Sequence, residues 1–317
     1  MKFLGLVLSV AAFGMAAQTA SAGVDPLTVE IDARDAQRFA DLLAKHPMPT
    51  AEQIQRGYLD GAGEGVRVFT PLRIKNAENL ARAIAAKPQH YRHAVRECLP
   101  LLASLQPELR AIYLAYAGLQ PQRPLPAIHV VFGATNSGGT ASETDQVLGL
   151  EVMCKEGTTP DEFRLAMRGI FAHETVHSWQ SDPSPEAQRD PLLAWALREG
   201  VPDYLASLVT GAVPRPERDA WARAREATLW QDFNRDRSAL IGVADPLADE
   251  QARSRVKRWF VNYGDAPQGW PYEAGYWIGM RIAQAYVARA TDPRRAITEL
   301  IDLRDPAAIL KASGYGE

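Results

Sequence analysis

Residues 159–180 constrain this chain more tightly than any other stretch. Thr159 offers an N-cap oxygen, Pro160 suits the first helical position, and Glu162 completes a Thr-x-x-Glu capping box. Phe163, Met167, Ile170 and Phe171 follow at helical spacings, which predicts an amphipathic helix running to about Gln180. That helix carries His173, Glu174 and His177. The two histidines are four apart, so their imidazoles leave one face a single turn apart and can share one Zn²⁺ at about 2.0–2.1 Å. Glu174 lies beside such an ion without pointing at it. There it can take a proton from metal-activated water and later hand it to a leaving amine. A chance His-Glu-x-x-His in a chain of this length is on the order of one in a hundred. The motif therefore outweighs a pair of unrelated surface histidines.

A catalytic zinc needs a third protein ligand and one open position. Another helical segment begins at Asp190-Pro191 and reaches roughly Gly211, and it contains Glu199 and Asp203. A loop with two prolines, residues 181–190, is long enough to fold this segment back over the first helix. Glu199 is the candidate third ligand. Asp203, four further on, shares its face and can accept the free ring N–H of a ligating histidine. The plain alternative is a solvated acidic pair. A third histidine is excluded, because residues 178–187 contain none. Pro202 disfavours helix at Val201, so the segment is expected either to kink or to restart there.

The rest of the chain reads as an α+β, helix-rich protein. Residues 33–45, 77–86 and 90–99 have helical spacing, 61–65 form a turn-rich break, and 66–69 suit a short strand. Three prolines at 121–126 mark a connection. Residues 127–132 and 147–154 then suggest two strands of a small sheet, read as a hairpin with a long connection. Between them, Asn136-Ser137-Gly138-Gly139-Thr140 is either an edge strand able to pair with an extended peptide or a glycine-rich turn. It lacks the Gly-Lys-Ser/Thr ending of a phosphate loop. Asp292-Pro293 and Asp305-Pro306 are further helix starts.

Residues 1–22 read as a signal peptide: Lys2, an apolar stretch from Phe3 to Met15, then Ala20-Ser21-Ala22. The apolar run is shorter than the ~20 residues of a bilayer span. No membrane span is expected after cleavage, and an exported protein, periplasmic or secreted, follows. Cleavage removes only the charge of Lys2 and takes the formal net charge from −3 to −4. That balance excludes the basic surplus of a nucleic-acid binder. Cys98 and Cys154 are the two cysteines. Export makes a disulfide possible, and two buried free thiols fit equally well.

At His173-Glu174-x-x-His177 and Glu199-Gly200-x-x-Asp203-Tyr204 the sequence resembles the gluzincin metallopeptidases. It is more closely similar to a group of zinc-dependent proteases among exported bacterial proteins, through Asn136–Thr140, Gly149-Leu150-Glu151 and Gly275-Tyr276. The resemblance spans Tyr58 to the C-terminus, and its specific parts are the histidine motif and the Glu-x-x-x-Asp pair. It implies His173, His177 and Glu199 as Zn²⁺ ligands, Glu174 as base, and Asp203 behind a ligand. It also implies a small sheet beside the active-site helix and a helical C-terminal part. Gluzincins stabilise the tetrahedral intermediate with a Tyr or His from their C-terminal part. No histidine follows His177, so Tyr276 is the first choice and Tyr272 the second, against simple packing of either ring. The expected organisation is a signal peptide at 1–22, an N-terminal helical region at 23–125 and a zincin-like catalytic region at 126–317. The expected activity is peptide-bond hydrolysis on a peptide or protein substrate. Its rivals are a zinc hydrolase of another amide, related to the cell wall, and a non-catalytic peptide-binding protein on a peptidase scaffold. The presence of Glu174 disfavours the last.

Overall fold

The computed structural model describes residues 23–316, so the expected signal peptide lies outside the described residues. Four short strands form one mixed sheet in the order β1-β2-β4-β3: β1 (Ile31–Asp32), β2 (Ala127–Val131), β3 (Gly139–Ala141) and β4 (Asp145–Gly149). β1 and β4 both run parallel to β2, whereas β3 pairs antiparallel with β4 and forms an edge. The architecture is helix-rich α+β, as expected. The expected hairpin between the two longer strands is corrected, because β2 and β4 are parallel neighbours and the tight reversal lies between β3 and β4.

Each face of the sheet is covered. On one face, Gln146 donates to the Tyr113 hydroxyl (2.5 Å) and to Thr175 Oγ1 (3.1 Å), tying β4 to the histidine helix, Pro160–His177. On the other face, Gly65 packs so closely on the side chain of His129 that a Cβ there would sit 2.6 Å from its Cβ. This double coverage explains why β4 is buried along most of its length.

Two local expectations are overturned. Residues 66–69 belong to a helix, Glu64–Phe69, in which Val66 and Phe69 share the buried face at a spacing of three. The run expected as a strand at 147–154 leaves the sheet after Gly149 and turns into a helical segment, Leu150–Met153. That turn buries Glu151, whose carboxylate accepts the Gly133 N–H (3.0 Å) and the Thr135 N–H (3.1 Å). Cys98 and Cys154 are joined as a disulfide, which resolves the open alternative of free thiols.

The histidine helix begins at the Thr159/Glu162 capping box with Pro160 in its first turn. The glutamate helix, Pro191–Thr210, is capped by Asp190 and runs unbroken through Pro202. Against it lies the tyrosine helix, Ala274–Arg289. Their crossing is made by glycine on both sides: a Cβ on Gly279 would fall 1.7 Å from the Ala196 oxygen, and one on Gly200 would fall 2.2 Å from the Met280 nitrogen. Backbone touches backbone there, which brings residue 276 of one helix beside residue 199 of the other. Helices Pro293–Asp302 and Pro306–Ser313 begin at the two expected Asp-Pro signals. Among the described residues no helix is long and apolar enough to cross a membrane.

Candidate metal centre

The two central helices bring His173, His177 and Glu199 together, as expected. His173 Nε2 and His177 Nε2 are 3.0 Å apart. Glu199 Oε2 lies 3.4 Å from the first and 3.3 Å from the second. Each imidazole is fixed from behind through Nδ1. His173 Nδ1 is 2.9 Å from Asp203 Oδ1, and His177 Nδ1 is 2.7 Å from Gln180 Oε1. A carboxylate only accepts, so His173 carries its hydrogen on Nδ1. The Gln180 amide nitrogen is occupied on the Arg198 carbonyl (3.0 Å), so Oε1 is turned to His177 and accepts from it as well.

The electrostatics follow from three acceptor atoms packed in a buried place. Burial alone would lower the proton affinity of His173, but hydrogen bonds to Asp203 and Glu199 outweigh it and push its pKa up to about 10. Burial would raise Glu199, yet the two imidazoles hold it well below the usual carboxylate range. Asp203 is also opposed by burial, and Arg218 and His173 together keep it below its ordinary value. Arg218 is itself almost fully buried. It donates to Asp203 Oδ2 and to the Glu273 carbonyl, and its guanidinium lies 5.4 Å from the centre of the Tyr276 ring. One cation therefore supports both the acid behind His173 and the start of the helix that carries Tyr276.

Glu174 is buried at the mouth of the edge strand. A Cβ on Gly139 would meet Glu174 Cγ at 2.6 Å and its carboxylate at 2.7 Å, so only glycine lets β3 lie this close. Burial raises the proton affinity of Glu174 above the ordinary carboxylate value, offset in part by His177, His173 and the guanidinium of Arg73. That is the direction a general base working near neutral pH requires. The Tyr276 ring lies nearly parallel to that of His173, with centroids 6.0 Å apart. Burial first, and then the charge of Glu199, keep its phenol protonated far above neutral pH. Tyr272 is instead an exposed ring tilted against Tyr263, with centroids 4.7 Å apart. Of the two tyrosines, only Tyr276 stacks on a candidate ligand.

A metal ion fits the three donors. A tetrahedral ion with bonds of about 2.0–2.1 Å holds its ligand atoms about 3.3–3.4 Å apart. The donors here are separated by 3.0, 3.3 and 3.4 Å. Crowded lone pairs need a positive charge between them. A proton on His173 supplies it in the metal-free arrangement, and a metal ion would replace that proton. A second group, His93 with Cys98 and Cys154, also brings its donor atoms within 4.8 Å of one another, but both sulfurs are spent in the disulfide and offer no thiolate.

Comparison with family models, curated proteins and solved structures finds no match to this chain. Its site is therefore read from its own chemistry. Sequence reasoning missed Gln180, Arg218 and Arg73. Gln180 stands three residues past His177, a helical spacing that marks it as a neighbour. Arg218 and Arg73 carry no local signal, since distant segments bring them in.

Proposed function

We propose that the chain is a zinc-dependent metallopeptidase of gluzincin type with a zincin-like catalytic region, exported to the periplasm or secreted. One observation carries this reading: two imidazole nitrogens and one carboxylate oxygen, from two helices, at tetrahedral spacing with Glu174 beside them. Histidine with carboxylate is the donor set that zinc takes in catalytic sites. When bound, zinc supplies Lewis acidity and lowers the pKa of coordinated water. Export is supported by the leader-like residues 1–22 and by the disulfide, which belongs to oxidising compartments.

The chain's own groups would divide the work as follows. His173, His177 and Glu199 hold the ion, while Asp203 and Gln180 fix the two rings. The Glu174 carboxylate takes the proton of the attacking water and delivers it to the leaving amine. The Tyr276 O–H donates to the carbonyl oxygen as negative charge builds on it. An extended peptide laid along β3 would add a strand to the sheet, passing the Gly139 backbone that abuts Glu174.

The test is a peptide-library digest with and without chelator, run beside metal analysis and Glu174→Gln. The expected result is about one zinc per chain, chelator-sensitive cleavage, and a variant that keeps zinc but loses hydrolysis. Full activity in Glu174→Gln would remove the mechanism. Peptide binding without cleavage by the wild type would favour a scaffold protein instead.

A further inference from the structure

Pro202 sits inside the glutamate helix, three residues after Glu199. In an uninterrupted helix the N–H of residue 202 would donate to the Arg198 carbonyl. Proline has no N–H, and its ring pushes that carbonyl off the helix axis. The Arg198 oxygen nonetheless has a partner, because Gln180 Nε2 donates to it at 3.0 Å. The other end of the same amide, Oε1, faces His177 Nδ1 at 2.7 Å. The Arg198 side chain adds a second tie to the same turn through the Ser181 carbonyl (2.9 Å).

We infer that Pro202 is a positioning residue for the metal centre: by withholding an N–H it leaves the Arg198 carbonyl to Gln180, which orients His177. The inference rests on the metal-site reading above. With its NH₂ held on a carbonyl, Gln180 can present only oxygen to the imidazole. His177 then carries hydrogen on Nδ1 and turns the Nε2 lone pair toward His173 and Glu199. Restoring an N–H at position 202 gives the Arg198 carbonyl a competing donor within its own helix and releases the amide.

The two effects of Pro202→Ala should therefore have opposite signs. Metal-free Pro202→Ala should melt at or above the wild-type temperature, since an interior helix hydrogen bond is regained. Its zinc affinity, measured by competition with a chromophoric chelator, should fall several-fold. Gln180→Leu should fall by about tenfold or more, the usual cost of losing a group behind a metal-bound histidine. The double variant should be no weaker than Gln180→Leu alone, because both changes cut one chain of contacts. Wild-type zinc affinity in Pro202→Ala overturns the inference, as does a double variant whose losses multiply. If Pro202→Ala does not fold, Pro202→Ser restores the same N–H and is judged by the same readout. A wild type that binds no zinc ends the metal reading as well, whereas failure of this inference alone leaves wild-type zinc binding intact.

Discussion

The glycine crossing between the glutamate and tyrosine helices makes Gly279→Ala the most informative single change. The new methyl would start 1.7 Å from the Ala196 oxygen and 2.4 Å from its carbonyl carbon. Carbon and carbonyl oxygen ordinarily approach to about 3.3 Å, so the helices must part by roughly 1.5 Å at this point. The obstacle is backbone, which has no rotamer to yield. The cost should lie at or above the upper end of the overpacking range, about 3 kcal/mol. For a chain of this size that corresponds to a fall in melting temperature of about 5 °C or more. The same displacement reaches chemistry, because Tyr276 is one turn before Gly279 and Glu199 adjoins Gly200. A shift of about 1 Å at a reacting centre can lower the rate by about 10²-fold. The assay is a melt of the metal-free protein together with hydrolysis at saturating zinc. Gly169→Ala is the matched control, since a Cβ there meets nothing within 4 Å and should stabilise the histidine helix by up to about 1 kcal/mol. If Gly279→Ala melts and works like the wild type, the close crossing does not exist and the placement of Tyr276 loses its basis.

Three other outcomes follow from the structure. Burial pushes Glu151 from an ordinary value of 4.5 up to about 7 against two backbone N–H donors. A folded-state value raised in this way favours the fold most below about pH 4.5, and the advantage is lost as pH rises toward 7. The loss is about 3 kcal/mol, and urea melts across that window should show it in the wild type but not in Glu151→Gln. Equal slopes would refute it. Tyr276→Phe should keep zinc while kcat falls roughly 10²- to 10³-fold, and an unchanged kcat would reduce Tyr276 to a packing residue. Cys98→Ser opens a loop of sequence separation 56 and should cost about 4 kcal/mol by chain entropy; a urea midpoint equal to that of the oxidised wild type would contradict this.

What could be read from the sequence was local in origin. The Thr159/Glu162 capping box, the Asp-Pro starts at 292 and 305, and the facing of His173 and His177 each depend on residues within a turn or two. Glu199 and Asp203 were legible because helical spacing gave them a common face and a loop allowed the return. Long-range geometry was not legible. The parallel pairing of β2 with β4 depends on the short β3 excursion between them, and residues 66–69 resemble a strand until their covering role is seen. Arg218 has no meaning until the 216–223 helix is laid against Asp203. Pro202 predicts a kink or a restart when only its missing N–H is counted, and the Gln180 amide that meets the Arg198 carbonyl comes from outside the helix.

The loop entering β3 is held from three directions. Tyr58 exchanges hydrogen bonds with Phe132, donating to its oxygen at 2.8 Å and accepting from its nitrogen at 2.9 Å, and Tyr91 donates to the Gly133 oxygen at 2.8 Å. Glu151 accepts the N–H groups of Gly133 and Thr135 from below. The anchors at 58 and 91 come from the segment preceding the proline connection, so that segment fixes the backbone that leads into the edge strand. Trimming the chain at the connection would remove both tyrosine anchors of the loop entering β3.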